Sequence, residues 1–69
     1  MSLNLECERE DDECWLAEVP ELPGVMAYGA TASEALVKAE VLVLRVVAER
    51  LEQGEAGPLD IRVHLPTMA

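Results

Sequence analysis

His64, Cys7 and Cys14 are the side chains of this sequence that could serve as base or nucleophile. A thiol–imidazole pair needs a third group to orient the base and donors to hold an oxyanion. The sequence offers neither. His64 stands between Val63 and Leu65 in an alternating run, which makes it a surface-facing strand histidine. Cys7 and Cys14 read as small core residues rather than nucleophiles or ligands, and their spacing does not match a zinc knuckle. Glu10, Asp11, Asp12 and Glu13 place four carboxylates in a row. An EF-hand loop would need a different spacing and a central glycine. The acidic run fits a solvated hairpin tip, or a contact for basic residues on a partner, where charge raises association rate more than affinity. No catalytic, metal or cofactor site is expected, and the chain is not expected to be an enzyme.

Glu40 is the charged residue with the most telling surroundings. Its neighbours on a helix are Leu36, Val37, Val43 and Leu44, all apolar. A carboxylate in that setting snorkels to an edge or finds a cationic partner. Arg50, Arg62 and His64 are the candidates for an ion pair or hydrogen bond across a chain–chain interface. The apolar residues between Ala35 and Leu51 cover about two-thirds of the helix circumference at about 100° per residue. A single sheet shields one side of a helix, so the surplus calls for another chain. Val41, Leu44 and Ala48, with Glu40 and the lone Trp15, are the candidate interface residues.

Composition agrees. A chain of 69 residues makes one domain, here residues 1–69. A domain this small buries only about 60% of its unfolded surface, and oligomerisation is one way to supplement such a core. Two cysteines cannot build a disulfide framework. The net charge of −9, from 14 acidic and 5 basic residues, repels nucleic acid and anionic lipid and favours basic partners. Residues Met1 to Arg9 lack the basic and apolar regions of a signal peptide. The longest apolar run, Val41 to Leu44, is too short to span a bilayer. A cytoplasmic protein with no membrane association is expected.

The elements that must position these residues follow from periodicity. Leu3 to Arg9 alternates as a half-buried strand, and Cys14 to Val19 forms a second, joined to it as a hairpin through the acidic loop. A two-residue loop would put Cys14 and Leu16 on the Leu5 face. A three-residue loop would put Trp15, Ala17 and Val19 there. Pro20 to Gly24 breaks the strand. Val25 to Ala30 is a third strand, shortened or bulged at Gly29. Thr31 caps a helix running to about Gln53, with Glu34 closing a capping box and pairing with Lys38. Gly54 stops it. Glu55 to Pro58 is the return loop, Leu59 to Leu65 is the fourth strand, and Thr67 to Ala69 is a frayed tail. The order β-β-β-α-β predicts an α+β two-layer sandwich, one long helix on one face of a small sheet.

Ala17-Glu18-Val19-Pro20-Glu21-Leu22-Pro23-Gly24, then Tyr28-Gly29-Ala30-Thr31 and Glu34-Ala35-Leu36, resembles the signature of the HicB-like antitoxin family. The resemblance covers residues 3–65. It implies a β-β-β-α-β domain that neutralises a small basic HicA-like RNA-cleaving toxin by occluding its RNA surface. The glycine expected at the first hairpin tip is replaced by Asp12-Glu13, and the cysteine often found after the Leu-Pro-Gly segment is Val25. The C-terminal DNA-binding segment of many members has no counterpart here, so no direct nucleic-acid binding is expected. The alternative expectation is a stand-alone homo-oligomer, a dimer or higher, with a structural or regulatory role and no toxin.

Overall fold

The computed structural model describes residues 1–10, 13–54, 57–58 and 60–66. The order is β1 (Ser2–Asn4), β2 (Glu6–Arg9), β3 (Trp15–Glu18), β4 (Met26–Gly29), α1 (Ala32–Glu52) and β5 (Arg62–His64). This is a small α+β fold with one long helix.

The first alternating run is two strands rather than one. β1 pairs in parallel with β5, Leu3 opposite Val63. β2 pairs antiparallel with β3, which pairs antiparallel with β4. Leu5 lies at the division, where its N–H donates to the His64 carbonyl at 2.9 Å. Neighbouring residues along a strand donate to opposite edges, so the N–H of Asn4 faces the other way. It donates to Glu21 Oε1 at 3.1 Å, and Asn4 Nδ2 donates to Glu21 Oε2 at 2.7 Å. The extended segment thus serves two sheets, one of two strands and one of three. β5 is shorter than the alternation of Leu59 to Leu65 suggests, and Leu59 lies outside the described residues.

The hairpin register pairs Glu6 with Glu18, Cys7 with Ala17, Glu8 with Leu16 and Arg9 with Trp15. The Glu10 N–H donates to the Cys14 carbonyl at 2.7 Å, which extends the same register by one pair. Glu13 adopts φ 59°, in the left-handed region. This register has the parity of the second alternative, with Ala17 and Val19 buried on the Leu5 side.

The proline-bracketed segment does more than end β3. The Leu22 N–H donates to the Val19 carbonyl and the Val25 N–H to the Leu22 carbonyl, each at 3.0 Å. Pro23 followed by Gly24 at φ +93° gives the second turn its type II residues. The pair of turns drives Leu22 and Val25 into the core.

Helix α1 starts at Thr31, whose Oγ1 accepts from the Glu34 N–H at 3.1 Å. Glu34 Oε2 accepts from the Ala30 N–H at 3.3 Å, one residue further back than the capping box expected from sequence. Glu34 also pairs with Lys38 at 3.0 Å. Gly54, at φ +73°, follows the C-cap Gln53. The buried face comprises Ala35, Leu36, Ala39, Val43 and Val47. They pack on Leu3, Leu5, Ala17, Val19, Leu22 and Val25. Small residues let the helix approach closely: a Cβ on Gly29 would lie 2.6 Å from the Ala35 nitrogen and 2.9 Å from Glu34 Cβ. Gly29 is paired in register with Trp15, so it is not bulged; β4 is shortened to end there, at the point of this close approach.

Candidate functional site

The fold exposes two faces that could bind another protein, on opposite sides of the molecule. The first is the side of α1 turned away from the sheet. Val37, Val41, Leu44 and Leu51 are 61%, 42%, 53% and 39% exposed, and Ala48 lies among them, also exposed. A short domain cannot wrap a helix on all sides, so these apolar side chains meet solvent in the single chain. Glu40 lies beside them, half-buried. Neither Arg50, Arg62 nor His64 forms an ion pair with it among the described residues. Arg62 is 3.7 Å from Asp60 instead.

The second face is the side of the three-stranded sheet turned away from α1. Register places Glu6, Glu18 and Met26 in one row across it, and Glu8, Leu16 and Tyr28 in the next. Met26 and Tyr28 are 46% and 56% exposed. Leu16 is buried although it lies outside the core. Glu6 stands directly opposite Glu18, a like-charge pairing that opposes strand association. Arg9 belongs to the other side of β2, and none of these carboxylates forms an ion pair among the described residues. A shallow open hollow, lined by Glu6, Cys7, Glu8, Leu16 and Glu18, occupies this surface.

The sequence-derived candidates fall in different places. Val41, Leu44 and Ala48 share the outward stripe of α1, with Glu40 at its border. Trp15 does not join them: it is half-buried on the opposite side of the helix, packed against the core with Cys7 and Ala27. Glu10 is half-buried and Glu13 exposed at the hairpin end, while Asp11 and Asp12 lie outside the described residues. The outer sheet residues Leu16, Glu18, Met26 and Tyr28 were not identified from sequence. The alternation that separates Glu6 and Glu8 from Leu5 and Cys7 was visible, but grouping them with β3 and β4 required the register.

The chemistry of the remaining polar groups is local. Burial pushes the Cys7 thiol above its ordinary pKa, which disfavours a thiolate. His64 is exposed. The side-chain amide of Asn4, and then its backbone N–H, hold the Glu21 carboxyl below its ordinary value. Lys38, followed by the Ala30 N–H, does the same for Glu34. Both carboxylates are structural clamps at chain turns. Among the described residues, no group of three or more His, Cys, Asp or Glu side chains is placed to hold a metal ion, and no helix is long and apolar enough to cross a membrane. Compared with family models, curated proteins and solved structures, the chain gives no match.

Proposed function

We propose that this chain is a HicB-like binding module that neutralises a small basic HicA-like RNA-cleaving toxin by covering it, with no chemistry of its own. The observation that carries this reading is the outer sheet face, where Glu6, Glu8 and Glu18 lie beside the exposed Tyr28 and Met26 and form no ion pair among the described residues. Carboxylates around apolar and aromatic side chains suit a partner that brings lysines or arginines together with apolar contacts. The net charge of −9 steers such a partner toward the chain. Occlusion requires no catalytic group, and the resemblance of the Val19 to Leu36 segment to HicB-like antitoxins supplies the class of partner. The module is read as acting in the cytoplasm, where an RNA-cleaving toxin would act.

Capture of the tagged chain from its native cell, followed by mass spectrometry, tests this. The expected catch is a small basic protein that is lost when Glu6, Glu8 and Glu18 are changed to lysine. Capture that survives those changes, or a catch without a basic protein, contradicts the reading. The second reading, a stand-alone homo-oligomer without a toxin, is favoured by the exposed stripe of α1.

A further inference from the structure

We infer that a second copy of this chain covers the outward stripe of α1, with the two helices side by side and parallel, and with Glu40 of each copy paired to Arg45 of the other. Val37, Val41, Leu44, Ala48 and Leu51 follow one another at steps of four, three, four and three residues. That is the spacing of a two-helix seam, narrower than the face a helix lays on a sheet. In heptad terms Val41 and Ala48 take the a positions, and Val37, Leu44 and Leu51 the d positions. Val41 at a with Leu44 and Leu51 at d follows the pattern that favours two helices over three or four, while Ala48 and Val37 fill the remaining positions. The seam stops where it should. One heptad before Val41 the a position is Glu34, whose carboxylate is already held by Lys38 and the Ala30 N–H.

Charge fixes the orientation. Glu40 takes the g position and Arg45 the e position of the next heptad, five residues on. In a parallel pair these two positions face each other across the seam, twice by symmetry. Within one chain, neither Glu40 nor Arg45 makes an ion pair among the described residues. An antiparallel arrangement that interleaves the same apolar residues sets Arg45 against the other copy's Lys38, or against its own equivalent with Lys38, already paired to Glu34 within its own chain, facing Glu52. In either antiparallel register Arg45 meets a like charge, where the parallel pair gives it the otherwise unpaired Glu40. The parallel pair also stacks all five apolar positions on their equivalents. Because the seam and the acidic sheet face lie on opposite sides of each protomer, the dimer turns two sheet faces outward and offers them to two partners at once.

Sedimentation velocity on the full chain, from micromolar to millimolar concentration, tests the pairing without any toxin present. A reversible monomer–dimer equilibrium is expected. Leu44→Glu should weaken it by about 30-fold or more, with circular dichroism unchanged because Leu44 is already half exposed. Val37→Lys is the second such variant, at a position that is 61% exposed. Glu40→Arg and Arg45→Glu should each weaken the dimer by about 10-fold, and together restore most of the loss. With Cys7 and Cys14 changed to serine, Ala48→Cys should form a disulfide-linked dimer on oxidation. A monomer at every concentration, or a dimer indifferent to both Leu44→Glu and Val37→Lys, overturns the inference. Charge reversals that do not compensate, or Ala48→Cys linking to Val37→Cys but not to itself, overturn the parallel orientation. Capture of a basic partner by the Leu44→Glu monomer would leave the sheet-face reading intact, so the two proposals fail separately.

Discussion

The Glu21 carboxylate takes both donors of Asn4, the backbone N–H at 3.1 Å and the side-chain amide at 2.7 Å. Glu21 stands where the next strand would continue the ladder. β3 ends at Glu18, and the chain turns away through Pro20. The carboxylate satisfies an N–H that β5, on the other edge of β1, cannot reach. The bond is between exposed groups, yet it ties the turn that buries Leu22 to the strand that buries Leu3.

Removing that clamp should act through pH. The folded-state pKa of Glu21 is lowered by its bonds to Asn4. A lowered folded value contributes stability that is fully present above the unfolded value of about 4.3 and is lost as pH falls through the folded value. Glu21→Ala should therefore lower the urea midpoint at pH 7, with the gap to the unaltered chain narrowing by pH 3. Urea titrations at the two pH values check this; a gap that is constant or grows on acidification contradicts it. Glu34, lowered by Lys38 and the Ala30 N–H, carries the same sign.

Gly29→Ala should destabilise the fold by about 1–3 kcal/mol, the usual range for overpacking. The new methyl group would meet the Ala35 nitrogen at 2.6 Å and Glu34 Cβ at 2.9 Å. The obstruction is helix backbone, so relief requires α1 to lift from β4. Thermal denaturation checks the loss, and a melting temperature equal to that of the unaltered chain would show that the close approach carries no weight.

Thr31→Ala removes the hydroxyl that caps α1 and should cost about 1 kcal/mol. Thr31→Ser keeps the acceptor and should recover most of it. Denaturant midpoints of the two variants, compared side by side, test the cap rather than the size of the residue.

Leu3 and Leu44 should respond in opposite ways to truncation. Leu3 is 1% exposed and Leu44 is 53% exposed. Leu3→Ala should cost about 2–5 kcal/mol, enough to unfold much of a domain whose core supplies about 3–5 kcal/mol. Leu44→Ala should leave the stability of the dilute chain within about 0.5 kcal/mol. Its effect should appear in self-association instead.

The parts legible in the sequence are those set by near neighbours. Thr31, Glu34, Lys38 and Gly54 announce both ends of α1 because caps and i, i+4 pairs are local. The exposed stripe could be anticipated because Val41, Leu44 and Ala48 lie on a regular helix. What could not be read depends on pairing at a distance. The alternation of Leu3 to Arg9 continues unbroken through Leu5, so nothing local shows that the chain changes partners there. The acidic loop allows either parity, and parity decides which of Leu16 and Ala17 faces the helix. Pro20 to Gly24 looks like a simple break, yet Leu22 within it is core. For the same reason the outer sheet face appeared only once Glu6, Glu18 and Met26 were aligned.

RNA cleavage by the captured basic protein, measured as this chain is titrated into it, tests most directly the claim that the chain works by covering a partner. The account predicts that cleavage stops at about one chain per toxin, and that the Glu6→Lys, Glu8→Lys, Glu18→Lys variant fails to stop it. Cleavage that continues while the two proteins remain bound, or inhibition that survives loss of the three carboxylates, would contradict it.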